Sequence, residues 1–144
     1  MNTMLAILKQ AGGWHHGLYL KIDNAPYMEL VIEAMDESGP MGLPAISVCH
    51  YGERNGDLMR DPEMCFELGF ARGPYLSAFY FRNDYLGVEQ WRRDVVDGNY
   101  VHRIGLHRQH ESFAETWDDN LRLQGFLIQT IGCAARHLEG RAIL

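Results

Sequence analysis

The sequence predicts an α+β domain. It consists of a six- or seven-stranded antiparallel meander sheet, a short N-terminal helix and a long C-terminal helix packed on one face. Three observations predict this. Apolar and polar residues alternate through most of residues 18–106. The turns between these stretches are short, as at Asp23-Asn24-Ala25-Pro26 and Glu37-Ser38-Gly39-Pro40, which suits antiparallel neighbours and leaves no room for parallel crossovers. Beyond residue 112 the apolar period changes from two to 3.6.

Each element has its own signal. Thr3 to Ala11 is helical in composition and stops at Gly12-Gly13. Leu18, Leu20 and Ile22 alternate with Tyr19 and Lys21, and Met28, Leu30, Ile32 and Ala34 alternate with Glu29 and Glu33. A third strand runs from Ala45 to Tyr51, and a fourth alternates Met64, Phe66, Leu68 and Phe70 with Cys65 and Glu67. Gly73-Pro74 separates it from a fifth, Tyr75 to Phe81. Val88–Val96 and Tyr100–Leu106 flank Asp97-Gly98, a short hairpin turn. Ser112-Phe113-Ala114-Glu115 has the form of a capping box, with Ser112 as N-cap, and Gly140 is a natural stop. Between them Phe113, Trp117, Leu121, Ile128 and Ile131 share one helical face, opposite Asp118, Asp119, Arg122 and Gln129. The phase holds across Gly125 and Gly132. One continuous helix is therefore preferred to two, although each glycine costs about 1 kcal/mol relative to alanine and the helix can kink at Gly125.

Residues 1–144 make a single domain of ordinary globular composition, and no apolar run reaches the length of a membrane span. Without a basic stretch followed by an apolar one at the start, the expected location is the cytoplasm. Cys49, Cys65 and Cys133 are odd in number and lack CxxC spacing, so free thiols are expected and neither a zinc site nor a disulfide framework. The net charge of -6 argues against a nucleic-acid partner. The nearest basic stretch, Arg92-Arg93 with Arg103 and Arg108, is interrupted by Asp94 and Asp97. No nucleotide loop, nucleophile elbow or metal-ligand spacing occurs, so no cofactor, metal or catalytic residue is assigned. His102, His107 and His110 would not converge on one strand, and His15-His16 follow a glycine turn.

The unusual segment runs from His50 to Glu63. It places four acids, two glycines and a proline between two strands. Asn55-Gly56 signals a tight turn, and Asp61-Pro62 holds Asp61 extended. One reading gathers His50, Asp57, Asp61 and Glu63, with Asp84, into a hard-metal or general-base site of a small hydrolase. The favoured reading is a hairpin whose polar side chains satisfy backbone. Asn120 and Gln124 lie in the apolar stripe of the long helix; either they bond backbone in the sheet or in the Asn55–Asp61 loop, pinning that loop from beneath, or the edge of the stripe is solvated there. Phe126 projects from the otherwise polar side of that helix, toward the N-terminal helix, a partner or second subunit, or solvent. With Trp91, Arg92 and Arg93 it is a candidate partner-binding residue, and Gly125 and Gly132 suggest a homodimer contact through the same helix.

His50-Tyr51, Asn55-Gly56-Asp57-Leu58-Met59 and Asp61-Pro62-Glu63 resemble a family of uncharacterised small proteins encoded on bacterial plasmids, integrative conjugative elements and phages. The resemblance continues through Arg82-Asn83-Asp84-Tyr85-Leu86-Gly87-Val88 and through Phe113-Ala114, Trp117, Asn120-Leu121 and Gln124-Gly125-Phe126. It implies an accessory gene of mobile DNA acting in the bacterial cytoplasm, and it carries over no catalytic residue. The function expected is non-enzymatic protein binding, in the concrete form of counter-defence against a host nucleic-acid-targeting effector such as a CRISPR complex. Glu29, Glu33, Asp36 and Glu37 on one hairpin, or Asp118-Asp119 on the long helix, would present the acidic surface. A DNA-binding accessory factor using residues 92–108 is the further alternative.

Overall fold

A computed structural model describes residues 1–131 apart from 92, 98 and 103, with backbone alone for 93–96, 99–102 and 104. Helix α1 (Asn2–Gln10) precedes a six-stranded antiparallel meander: β1 (Tyr19–Ile22), β2 (Glu29–Ala34), β3 (Ala45–Arg54), β4 (Asp57–Gly69), β5 (Tyr75–Asn83) and β6 (Val88–Trp91). Two short strands, β7 (Arg93–Val96) and β8 (Asn99–His102), form a separate two-stranded sheet among the described residues, and α2 (Ile104–Leu123) follows. The α+β architecture read from the alternation is the one observed.

One sheet face carries the core. Ile22, Leu30, Ile32, Ile46, Val48, Met64, Phe66 and Ala78 pack beneath Met4, Ile7 and Leu8 of α1 and Ala114, Trp117 and Leu121 of α2. The helices are joined to each other as well as to the sheet. Asp118, expected on the solvated side of α2, is buried, and its carboxylate accepts from the N–H groups of Thr3 (3.0 Å) and Met4 (2.8 Å). These are two of the unpaired donors of the first turn of α1, and Met1 supplies no side-chain cap of its own. Glu111 reaches from α2 to the Ala78 N–H (2.8 Å), beside the bulge where Cys65 pairs with Tyr80 and Phe66 with Ala78.

Four boundaries differ from expectation. The helix begins at Ile104, so residues 104–106 are helical rather than strand. Ser112 is then an interior residue whose carbonyl accepts from the Thr116 hydroxyl, and Glu115 meets the Met1 amino group instead of capping Ser112. The stretch expected as one strand from Val88 to Val96 divides between the main sheet and the β7–β8 pair. The expected loop at 52–63 is strand almost throughout, with only Asn55-Gly56 at the tip. Both tip residues have positive φ (53° and 85°), as a two-residue hairpin turn demands. Finally, the expectation of one continuous helix fails at Gly125, whose φ of +89° no helix accommodates. A separate helical stretch follows at 126–131. The change of direction puts Phe126 fully into the core, while Ile128 and Ile131, expected inside, are exposed. Residues 132–144, with Cys133, Gly132 and the expected stop at Gly140, lie outside the described residues.

Candidate functional site

The polar segment of β3 and β4 is built as architecture. Opposite His50 the ladder slips: Cys49 pairs with Glu63 but Tyr51 with Arg60, leaving Asp61 and Pro62 as a bulge on β4. The Asp61–Pro62 bond is cis. The slip aims Asp61 at the β5–β6 turn, where Oδ1 accepts from the Asn83 amide at 2.7 Å. Asn83 Oδ1 in turn accepts from the Leu86 N–H, closing that turn on itself. Asp84 completes the lock: Oδ2 accepts from the Arg60 N–H (2.8 Å), Oδ1 from Arg82 Nε (2.7 Å), and its own N–H donates to the Arg60 carbonyl (2.9 Å). Partial burial works against ionisation of Asp84. The Arg60 N–H and the Arg82 guanidinium outweigh it and hold the carboxyl below its ordinary range.

His50 turns the other way, into the core. Its ring lies 5.4 Å from both Trp117 and Phe126, and Nδ1 meets the Glu29 carbonyl at 3.2 Å. Burial lowers its pKa below the ordinary 6.5, against the opposing effect of the backbone carbonyls. Asp57 sits at the exposed hairpin tip, away from Asp61 and Asp84. The residues grouped from sequence as a general-base site are thus brought into two structural clusters and one solvated turn. Among the described residues, no set of three His, Cys, Asp or Glu side chains is placed to hold a metal ion.

The expected anchors under this segment also shift. Asn120 is exposed, and Gln124 contributes its carbonyl, accepting from the Asn24 amide at 2.7 Å. The fastening is therefore to the β1–β2 turn and not to Asn55–Asp61. Phe126 is not the outward partner contact that was one expectation; it is a core residue against Tyr27 and His50, in one cluster with Met4, Ile7 and Leu8 of α1, the helix it was also expected to meet. Arg92 and the side chain of Arg93 lie outside the described residues, as do the contacts expected of a homodimer through residues beyond 131.

The opposite sheet face holds a cleft. In register across it run Tyr19, Glu33, Ser47, Cys65, Tyr80 and Trp91, one residue from each strand. A second row runs Lys21, Val31, Cys49, Glu63, Arg82 and Glu89. Among the described residues, the small cluster on this side, Ala45, Cys65, Phe79 and Tyr80 with Met35, receives no helix side chain. The cleft has a volume of about 510 Å³ and is lined by Glu33, Asp36, Glu37 and Glu63 with Ser47, Cys65, Tyr80 and Trp91. Glu63 is held, accepting from the Ser47 hydroxyl (2.9 Å) and facing Arg60 Nη1 (3.5 Å). Glu33, Asp36 and Glu37 are exposed and make no ion pair among the described residues. Trp91, 55% exposed at the edge strand, stands 4.4 Å from the Tyr80 ring at a tilt of 58°.

The far wall is fixed by Glu67. Although 1% exposed, its carboxylate accepts from the N–H groups of Met41 (2.9 Å) and Leu43 (3.3 Å), holding the β2–β3 loop against the sheet. Gly39 makes this possible, because a Cβ there would overlap the Glu67 side chain. Burial, with Glu63 nearby, pushes the Cys49 and Cys65 thiols up to about 12, and burial pushes Tyr80 up to about 12. All three are neutral at physiological pH, so the cleft presents carboxylates, an aromatic wall and hydrogen-bonding groups, with no thiolate nucleophile.

Of the surface acids expected from sequence, Glu33, Asp36 and Glu37 stand in this cleft, while Glu29 is paired with Lys21 (3.1 Å) and Asp118 is an internal cap. Tyr80, Ser47 and Glu67 were missed as contributors. Strand parity was the available signal, because short turns carry one alternating set around the whole meander.

The family model described as Domain of unknown function (DUF6908) matches residues 2–127, and the chain belongs to that family. No curated protein matches the chain, and no solved structure matches it.

Proposed function

We propose that this DUF6908 protein is a non-catalytic accessory protein of bacterial mobile genetic elements that works by binding another protein, in counter-defence against a host nucleic-acid-targeting effector. The observation that carries the binding reading is the acidic cleft with its exposed tryptophan on a sheet face that no described helix covers. Effectors that handle nucleic acid carry basic channels, and a rigid acidic face is complementary to them. The alternative of a small hydrolase draws no support from the geometry. Asp61 and Asp84 are engaged by Asn83, Arg60 and Arg82, and His50 is stacked in the core. The mobile-element setting rests on the resemblance of residues 50–63, 82–88 and 113–126 to proteins encoded there.

The test compares wild-type protein with Glu33→Lys/Glu37→Lys in two assays. Wild type is expected to raise the survival of an incoming phage or plasmid in a host whose nucleic-acid-targeting defence is active, and to retain a defence component on affinity capture at physiological salt. The folded double variant is expected to lose both. Equal performance by the variant, or no effect by wild type against any such defence, overturns the proposal.

A further inference from the structure

We infer that the cleft on the uncovered sheet face accepts an arginine side chain of its protein partner and discriminates against lysine, the guanidinium lying between the Trp91–Tyr80 wall and the carboxylates of Glu33, Asp36 and Glu37. This rests on the binding reading above and names the chemistry that the same face recognises.

Charge complementarity sets the sign of the occupant. Four carboxylates line the cleft and, among the described residues, no basic side chain does. Glu63 is already satisfied by Ser47 and Arg60, so it serves as a fixed wall, and the demand for a cation falls on the three unpaired acids. The aromatic wall sets the kind of cation. Tyr80 is 5% exposed, whereas Trp91 is 55% exposed and props against it at the open end of the row. A planar guanidinium stacks on an indole while its N–H groups still reach carboxylates in a fork. A lysine ammonium is a compact, strongly hydrated point charge. It can pair with the same acids but gains less from the ring. The acids stand on β2 and the loop that Glu67 holds down, and the tryptophan stands across the sheet on β6, so the spacing between charge and ring is set by the fold.

The experiment uses the full chain and two synthetic peptides of equal length and charge, one bearing only arginine and the other only lysine as cations, titrated at physiological salt. In wild type the arginine peptide is expected to bind about fivefold tighter. Trp91→Ala is expected to bring the two peptides level while both still bind, and Trp91→Phe to keep part of the preference. Glu33→Gln/Glu37→Gln is expected to weaken both, with unfolding midpoints confirming that each variant is folded. Equal affinity of the two peptides for wild type, or an arginine preference that survives Trp91→Ala, overturns this inference and leaves the acidic-face reading standing. Failure of both peptides to bind overturns both.

Discussion

Single side chains decide several features of this fold, and Asp118 is the clearest. A helix face assignment from periodicity makes it a solvated acid, yet it is buried and satisfies the Thr3 and Met4 N–H groups. Asp118→Ala is expected to cost about 1–2 kcal/mol, the range of a lost N-cap, and Asp118→Asn, which retains one acceptor oxygen, should cost less. Urea unfolding of both variants checks this. The two core histidines make a second prediction. Burial lowers the pKa of His50, and burial together with His107 lowers that of His110. His110 stacks on Phe81 and meets Gln90 at 2.9 Å. In the unfolded chain both titrate near 6.5, so below that pH the unfolded state binds more protons than the folded one. Their contribution is full above about 6.5 and is lost as pH falls from there toward the lower folded values. Unfolding midpoints measured from pH 7.5 to 5 should decline. His50→Gln/His110→Gln should flatten that slope, whatever its effect on absolute stability.

Elements were legible where one rule governed them and illegible where two competed. Alternation located β1 and β2 closely, and a run apolar on both faces after Gly73-Pro74 located β5. It missed the outer halves of β3 and β4, whose residues Gly52–Arg60 are polar or exposed and read as loop. Strand there follows from the Asn55-Gly56 turn and from the clamp of Asp84 on Arg60, contacts between residues more than twenty positions apart. Asp84→Ala is therefore expected to loosen the arm without unfolding the sheet. Hydrogen exchange should show faster exchange at residues 52–60 and unchanged protection at 45–49. The break after α2 was undervalued because helical phase passes through Gly125, whereas a φ of +89° is invisible to periodicity. Gly125→Ala should cost about 1 kcal/mol or more from strained backbone alone. Phe126→Ala should cost about 3–5 kcal/mol, as for a large core aromatic. Thermal unfolding distinguishes both from a surface substitution such as Ile128→Ala, which should stay within about 0.5 kcal/mol.

At the level of the whole molecule, the cleft illustrates what a chain read in order conceals. Glu33, Asp36 and Glu37 were visible as acids on a hairpin and Trp91 as an aromatic far along the sequence, but only the six-strand register puts them around one hollow. By contrast, stretches that carry the family resemblance meet in the Asp61–Asn83–Asp84 lock and, on the core side, in the His50–Trp117–Phe126 stack. These contacts belong to the scaffold, whereas Glu33, Asp36, Glu37 and Trp91 belong to the surface it presents. Gly39→Ala probes the coupling between them: displacing Glu67 should shift the β2–β3 loop, lower the unfolding midpoint because a buried carboxylate loses its partners, and weaken capture of a basic peptide. Raising salt should weaken that capture in wild type, since exposed charges are screened within about 8–10 Å at physiological ionic strength. The bond between Asp118 and the start of α1 also governs when the protein can assemble. It spans 115 positions, so α1 stays uncapped until residue 118 has been synthesised and has cleared the ribosome.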